Sequence, residues 1–316
     1  MSRPFRFGII GGRWGVNFLR TIARRPEWTA TVVARARALP LPEPFHEVPV
    51  TIDWRDLVRN REELDAIIIA SPPATHIEMA RFFMAHGLPL LIEKPLCLDA
   101  DEALRLQQQT AETGAIVWVD HTHLFHPAYR KLKALAQGEH IVRIRSKAGN
   151  HGPLRPDVVP LWDWMPHDLA MMLDLADAVP DDLLARQLAF RHEREGYAQT
   201  VEIELKFTSG ISTYSRVSNL DPAKSRLLAV RTEQAVYRYD GLAMHSLTRL
   251  DPNTPESEWF TASGEVLPVP PITPLENLLE EFTTAVHAGD TANRSLDLGV
   301  RVVEGLARAD RQIQKA

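Results

Sequence analysis

The sequence predicts two domains: a doubly wound parallel α/β domain over residues 1–121, and an α+β domain with a mainly antiparallel sheet over residues 122–316. Two patterns carry the prediction. Up to residue 121, short apolar runs without polar alternation recur between helix-spaced segments, as parallel strands covered on both faces do. Beyond it the runs lengthen and alternate polar with apolar residues, as antiparallel strands with one covered face do. A chain of 316 residues, 45% hydrophobic and 24% charged, is long enough for two cores.

The first strand is Phe5 to Ile10. Gly11, Gly12, Arg13, Trp14 and Gly15 follow it, and Val16, Leu19, Ile22 and Ala23 then take helical spacing until Pro26. A glycine turn between a first strand and a first helix lets backbone approach a pyrophosphate, whose charge suits the helix N-terminus, so this is the expected dinucleotide site. The spacing is Gly-Gly-x-x-Gly, one residue short of the usual Gly-x-Gly-x-x-Gly. The second strand, Thr29 to Ala34, runs into Arg35 and Arg37, with no Asp or Glu before Pro42 to accept from ribose hydroxyls. Guanidinium groups suit a 2′-phosphate, so the expected cofactor is NADP or NAD with NADP favoured, the plainer reading being two arginines in a surface loop. The prolines from Pro40 to Pro49 leave room only for an irregular crossover.

Asp65 to Ala70 is the next strand, and the loop Ser71 to His76 leads into a helix whose apolar positions are Ile77, Ala80, Phe83 and Met84 and which Gly87 ends. Thr75 and Glu78 have the spacing of a capping box. Leu90, Leu91 and Ile92 form another covered strand, which Pro95 stops because it cannot donate to a ladder. Glu93 and Lys94 therefore stand at a strand's carboxyl end, where ligands of open parallel sheets collect; the plainer reading of Lys94 is a solvated charge. Asp99 and Glu102 open a further helix running to Gly114, and a strand from Ala115 to Val119 reaches Asp120 and His121.

In the second half, the strand segments are 141–147, 184–191, 198–207, 212–217, 227–230 and 235–239, and helices over 167–176, 274–288 and 296–314 are expected to cover one sheet face. Val201, Ile203, Leu205 and Phe207 alternate with polar residues, and a sheet face left open by the helices would pair with a second copy, so a homo-oligomer (dimer or tetramer) is expected. In Leu161-Trp162-Asp163-Trp164-Met165-Pro166-His167-Asp168, a helix starting near Asp163 tolerates Pro166 in its first turn and puts Asp163 and His167 on one face. Hydride transfer from an alcohol needs a group that takes the hydroxyl proton, which a histidine suits, and a cation facing the developing alkoxide, which Lys94 suits. A helix cap and a structural histidine are the plainer reading of the pair.

The net charge of −5 gives no basic stripe for nucleic acid or an anionic membrane surface. Cys97 is the single cysteine, which excludes an intramolecular disulfide framework and a multi-cysteine zinc site. His121, His123 and His126 hint at a metal, but no carboxylate cluster accompanies them and no metal is expected. His121 is better read as lining a nicotinamide or substrate pocket; Arg155 could bind an anionic substrate group or be a surface charge. The N-terminus lacks the long apolar segment of a leader or membrane helix, and a cytoplasmic protein is expected.

Three stretches together resemble the glucose–fructose oxidoreductase, inositol dehydrogenase and MocA (Gfo/Idh/MocA) family of NAD(P)-dependent oxidoreductases: Asp65 to His76, Glu93-Lys94-Pro95, and Asp163-x-x-x-His167, in the family's order over nearly the whole chain. The stretch from His121 to Lys133 and the Trp-Asp-x-x-Pro-His-Asp form of the last motif look most like the branch acting on nucleotide-linked sugars. The resemblance implies a Rossmann domain, catalysis by Lys94 and His167 with Asp163 in support, and a cofactor held around Gly11, Ser71, Pro72, His76 and Glu93. The shortened glycine turn departs from the family's pattern.

The expected function is hydride transfer between a nicotinamide cofactor and a small sugar or sugar-like alcohol or ketone held between the two domains. A non-catalytic sensor of cofactor state would have no need of Lys94 and His167 together. An imine or enone reductase on the same fold stays open, since fold does not fix chemistry.

Overall fold

The computed structural model describes residues 3–37, 41–243 and 246–315, so Pro40, in the proline-rich crossover, lies outside the described residues. The chain divides into two compact units, residues 1–120 with 275–300, and residues 121–274 with 301–316.

In the first unit, β1 (Phe5–Ile10), α1 (Gly15–Ile22), β2 (Trp28–Ala34) and β3 (Val50–Thr51) are followed by a 3-10 helix, Trp54–Glu63, in place of a full crossover helix. Then come β4 (Ala66–Ile69), α2 (His76–Ala85), β5 (Leu90–Glu93), α3 (Ala100–Thr113) and β6 (Val117–Asp120). The sheet order is β3-β2-β1-β4-β5-β6, every pair parallel, with the order reversing at β1. Ile67, Ile68, Ile69, Leu90, Leu91 and Ile92 are all buried, as uninterrupted apolar runs require. Asp99 caps α3 by accepting from the Glu102 amide at 2.9 Å, as its sequence position predicts. The capping box expected at Thr75 does not form. The Thr75 hydroxyl donates to the Pro72 carbonyl at 2.8 Å and meets the Ser71 hydroxyl at 2.7 Å, inside a one-turn 3-10 helix, Pro73–Thr75, that precedes α2.

The second unit holds α4 (Pro127–Gln137), β7 (Ile141–His151), α5 (Pro160–Asp163), α6 (Met165–Ala176), β8 (Asp182–Glu193), β9 (Gly196–Lys206), β10 (Ser212–Ser218), β11 (Leu220–Thr232), β12 (Val236–Asp240), β13 (Leu247–Leu250) and β14 (Glu265–Val266). Its sheet order is β14-β13-β12-β11-β7-β10-β9-β8, antiparallel except that β7 and β10 run parallel. Val201, Ile203, Leu205 and Phe207 are buried. Arg143, Arg145 and Lys147 alternate with the buried Ile144, Ser146 and Ala148. They are engaged by acids: Glu256 lies 3.5 Å from Arg143 and 3.2 Å from Arg145, and Asp221 lies 3.8 Å from Lys147.

Two helices close the chain, α7 (Pro274–Ala288) and α8 (Arg294–Ile313). Helix α7 was expected on the antiparallel sheet; instead its Phe282 ring lies edge-on to Trp118 of β6 in the first unit. The turn before α8 seals the outer edge of β6. Asn293 accepts from the Val117 amide and donates to the Ala115 carbonyl, each at 2.8 Å, while the Ser295 hydroxyl accepts from the Val119 amide at 2.9 Å and donates to its carbonyl at 2.8 Å. Side chains thus occupy ladder positions that a seventh strand would fill. The last turns of α8 serve the second sheet, where Gln312 accepts from the Ala185 amide and donates to the Leu183 carbonyl.

Asn293→Ala is expected to lower stability by about 2 kcal/mol, because it strips partners from an amide and a carbonyl and puts alanine at a left-handed φ of 50°. Urea denaturation of both proteins checks this, and a difference below about 0.5 kcal/mol would remove Asn293 from the edge-sealing role.

Candidate active site

Parallel pairing aligns the carboxyl ends of β1, β2, β4, β5 and β6 along one edge of the first sheet, through Ile10 opposite both Ala34 and Ile69, and Glu93 opposite Asp120. The sequence-predicted cofactor residues gather there. Gly11 has φ +118°, and a Cβ on it would lie 2.2 Å from the Ala70 carbonyl oxygen, so the chain turns hard against the end of β4 in a way only glycine permits. Gly12 is constrained differently: a Cβ there would meet Nε of Arg35 at 2.9 Å. The Arg35 guanidinium therefore lies over the glycine turn, while Arg37 is exposed beyond it. Arg13 and Trp14 are exposed at the start of α1, whose first turn carries no acid and no side-chain cap.

His76 is fully buried. Its Nε2 lies 2.9 Å from the Ser71 carbonyl, and its Nδ1 lies 3.1 Å and 3.2 Å from those of Pro95 and Leu96, so one ring bridges the loops leaving β4 and β5. Burial lowers its pKa. Ser71 and Pro72 on one side and Lys94 on the other are thereby fixed. Glu93 is buried and accepts from the Lys94 amide at 3.1 Å. Burial first, and the adjacent Asp120 carboxylate second, raise its pKa well above the usual carboxylate range. Lys94 itself is half-buried at the tip of β5.

The second unit gathers the remaining residues. Asp163 and His167 do not share one helix: α5 ends at Asp163, Trp164 intervenes, and His167 is the third residue of α6. Pro166 accounts for the break, because it has no amide to donate to the Trp162 carbonyl and in a continuous helix its ring would clash with that group. Arg155 donates to Asp163 at 3.1 Å and clamps Asp157 with two further bonds of 3.1 Å and 2.6 Å. His121 is buried where β6 ends and the second unit begins.

The sequence raised His123 and His126 only as a hint of metal, and it did not mark Asp168 or Tyr239 as site residues. His123 Nδ1 lies 2.9 Å from the Tyr239 hydroxyl, and its ring stands at 89° to that of His167 with centroids 4.8 Å apart. Asp168, next to His167, is wholly buried, accepts a long 3.4 Å bond from Ser215, and has its pKa raised to about 6 by burial, with Arg226 opposing the rise. His126, by contrast, caps α4 by accepting from the Ala128 amide at 3.1 Å. Its place directly before Pro127 and a helix pattern was the available signal for that role.

A six-stranded parallel sheet in this order, with a glycine turn at its reversal point, has the arrangement of a dinucleotide-binding Rossmann domain. Residues 5–121 match the model of an oxidoreductase family with an NAD-binding Rossmann fold, and the chain belongs to that Gfo/Idh/MocA family. It is 32% identical over 123 residues to UDP-N-acetylglucosamine 3-dehydrogenase of Acidithiobacillus ferrooxidans, a match spanning 39% of each chain. It is 34% identical over 87 residues to inositol 2-dehydrogenase 1 of Mycolicibacterium vanbaalenii, covering 27% of this chain and 25% of that one. A solved structure from Magnetospirillum magnetotacticum, described as a candidate oxidoreductase, superposes with a TM-score of 0.87 at 38% identity, covering 96% of this chain and 99% of that one. Among the described residues, no helix is long and apolar enough to cross a membrane.

Asp168 gives a pH signature with a defined sign. Its carboxyl moves from an unfolded value of 3.8 to about 6 in the fold, so from about pH 4 to pH 6 the unfolded chain releases a proton that the folded chain keeps. The contribution is present in full below pH 3.8 and is lost as pH rises through this window, by roughly 3 kcal/mol. His76 has the opposite sign, losing stability as pH falls below 6.5, and is common to both proteins compared. The stability of wild type minus that of Asp168→Asn should therefore decline between pH 4 and pH 7 in urea titrations; parallel curves would refute the assignment.

Proposed function

We propose that this protein moves a hydride between a nicotinamide dinucleotide and a sugar or sugar-like alcohol or ketone, with nucleotide-linked sugars the favoured class. The observation that carries this reading is the position of Lys94. An ammonium stands directly after a buried strand, on the same strand-end edge as the Gly11 turn, with Glu93 and His76 fixing the loop that bears it. The residues that would hold the dinucleotide are Gly11, Gly12 and the α1 amides for its phosphates, Arg35 beside them, and the Ser71-Pro72 and Glu93-Lys94 segments for its nicotinamide half. When bound, the nicotinamide supplies the hydride acceptor or donor.

In this proposal Lys94 stabilises charge developing on the reacting oxygen. His167 takes the hydroxyl proton in oxidation and returns it in reduction. Asp163, held by Arg155, supports them with its carboxylate, and His121 lines the pocket. The likeness to a dehydrogenase of a nucleotide-linked sugar over 123 residues supports the substrate class. Lys94→Ala should cut turnover by about a hundredfold or more while cofactor affinity changes by less than about threefold. Near-normal rate constants in that variant, with turnover monitored by nicotinamide absorbance against sugars, sugar nucleotides and cyclic imines, would end the catalytic assignment of Lys94. Turnover on the imines alone would favour the reductase alternative, and binding without any turnover would favour a cofactor sensor.

NADP is the favoured cofactor because β2 ends in Arg35 and Arg37 with no competing acid. Charge-assisted bonds contribute about 1.5–3 kcal/mol each, which is roughly ten- to a hundredfold in preference. Since the Arg35 guanidinium lies over Gly12, it is placed to serve either a 2′-phosphate or the pyrophosphate. Dissociation constants for NADPH and NADH on wild type, Arg35→Ala and Arg37→Ala separate these roles. Selective weakening of NADPH is expected; equal weakening of both nucleotides, or equal affinity in wild type, would overturn the NADP assignment.

A further inference from the structure

We propose that His123, anchored by Tyr239, is a positioning residue that fixes the imidazole of His167 for proton transfer; this rests on the reading of His167 as the proton-transfer group. His123 sits in the 3-10 turn Thr122–Phe125 at the entry to the second unit, with Nδ1 2.9 Å from the hydroxyl of Tyr239 on β12. Tyr239 is buried, and burial raises its phenol pKa, so the hydroxyl stays protonated around neutrality. With the hydroxyl taken as the donor to Nδ1, the ring proton of His123 is left on Nε2, which selects one tautomer and one ring orientation. The ring so fixed stands perpendicular to His167 at 4.8 Å. Imidazoles that turn freely about their last torsion offer either nitrogen to a substrate. Packed against an immobile perpendicular ring, His167 keeps one nitrogen forward, and rates are sensitive to such placement.

The charged and titratable groups around this pair come from every packed element. Asp168 follows His167 on α6, and Asp163 ends α5 with Arg155 bound to it. Asp168 and Arg226 of β11 lie close enough to Tyr239 to act on it electrostatically, as does Asp240 beside it. His126 places its ring 4.9 Å from that of Tyr239, and His121 precedes the turn. The arrangement also gives a use to the spacing His121-x-His123-x-x-His126, which resembles a ligand set in sequence: in the structure His126 caps a helix and His123 takes the phenol.

The experiment uses the full chain with His123→Ala, His123→Asn and Tyr239→Phe. With a turned-over substrate, kcat should fall about tenfold or more in His123→Ala and about threefold or more in Tyr239→Phe, with substrate KM and cofactor Kd changed by less than about twofold. His123→Asn, whose amide can still accept from the Tyr239 hydroxyl, should recover most of the loss. Nitrogen-15 spectra of the imidazoles should show a single tautomer at His123 in wild type and averaging in Tyr239→Phe. The spectra need no substrate, so if no compound is turned over the function fails on turnover while the positioning is judged on the spectra alone. Unchanged kcat in His123→Ala, equal losses in His123→Asn and His123→Ala, or averaged tautomers at His123 in wild type would each overturn the proposal. Should His123→Ala not fold, His123→Asn and Tyr239→Phe decide by the same readouts.

Discussion

A parallel sheet buried on both faces can show its strand ends only at its edges, and this constraint orders the first unit. Because Ile67 to Ile69 and Leu90 to Ile92 must be covered, polar chemistry is pushed past the last apolar residue of each strand. Gly11, Arg35, Ser71, Glu93 and Asp120 all stand one or two residues beyond such a run. Their proximity follows from register, since Ile10, Ala34 and Ile69 lie side by side. Pro95 and the Ser71-Pro72 turn stop their strands at matching heights, and His76 bridges the two loops from below.

The polar interior is unequal in kind. His76 faces carbonyl oxygens from both nitrogens, a geometry that fixes loops rather than supplying a mobile proton. Glu93 is buried, and strand pairing sets Asp120 opposite it, so burial first and the neighbouring carboxylate second hold the Glu93 carboxyl's pKa well above the usual range. In the second unit the buried groups lie between α6 and the sheet, where Asp168 meets Ser215, itself bonded to Ser146 at 2.8 Å. A polar layer at a helix–sheet contact ties the orientation of α6 to hydrogen bonds as well as to apolar packing.

Much of this was legible in the chain, and the parts that were not share a cause. Uninterrupted runs such as Leu90 to Ile92 announce covered parallel strands because burial on both faces leaves no place for polar residues. The Asp99 cap is local chemistry completed within four residues. Thr75 had the same local signal, but its hydroxyl found Ser71 and Pro72 nearer, and the capping geometry lost. Pro166 was read as tolerable in a first turn, and it is, but the helix it opens starts at Met165 and excludes Asp163. The apolar stripe of α7 says that the helix is covered without saying by which sheet. Tyr239 lies 116 residues from His123, and neither end of such a pair carries a mark of the other.

The sealing of β6 by Asn293 and Ser295 bears on the order of events at the ribosome. The nucleotide-binding sheet looks like an N-terminal module, yet its outer ladder is completed by residues near the other end of the chain. While the intervening length is still being made, the backbone groups of β6 on that side have only water or a foreign strand to pair with. The first sheet to be synthesised is thus among the last to be finished, and for that interval its protection falls to the speed of translation and to whatever holds nascent chains apart.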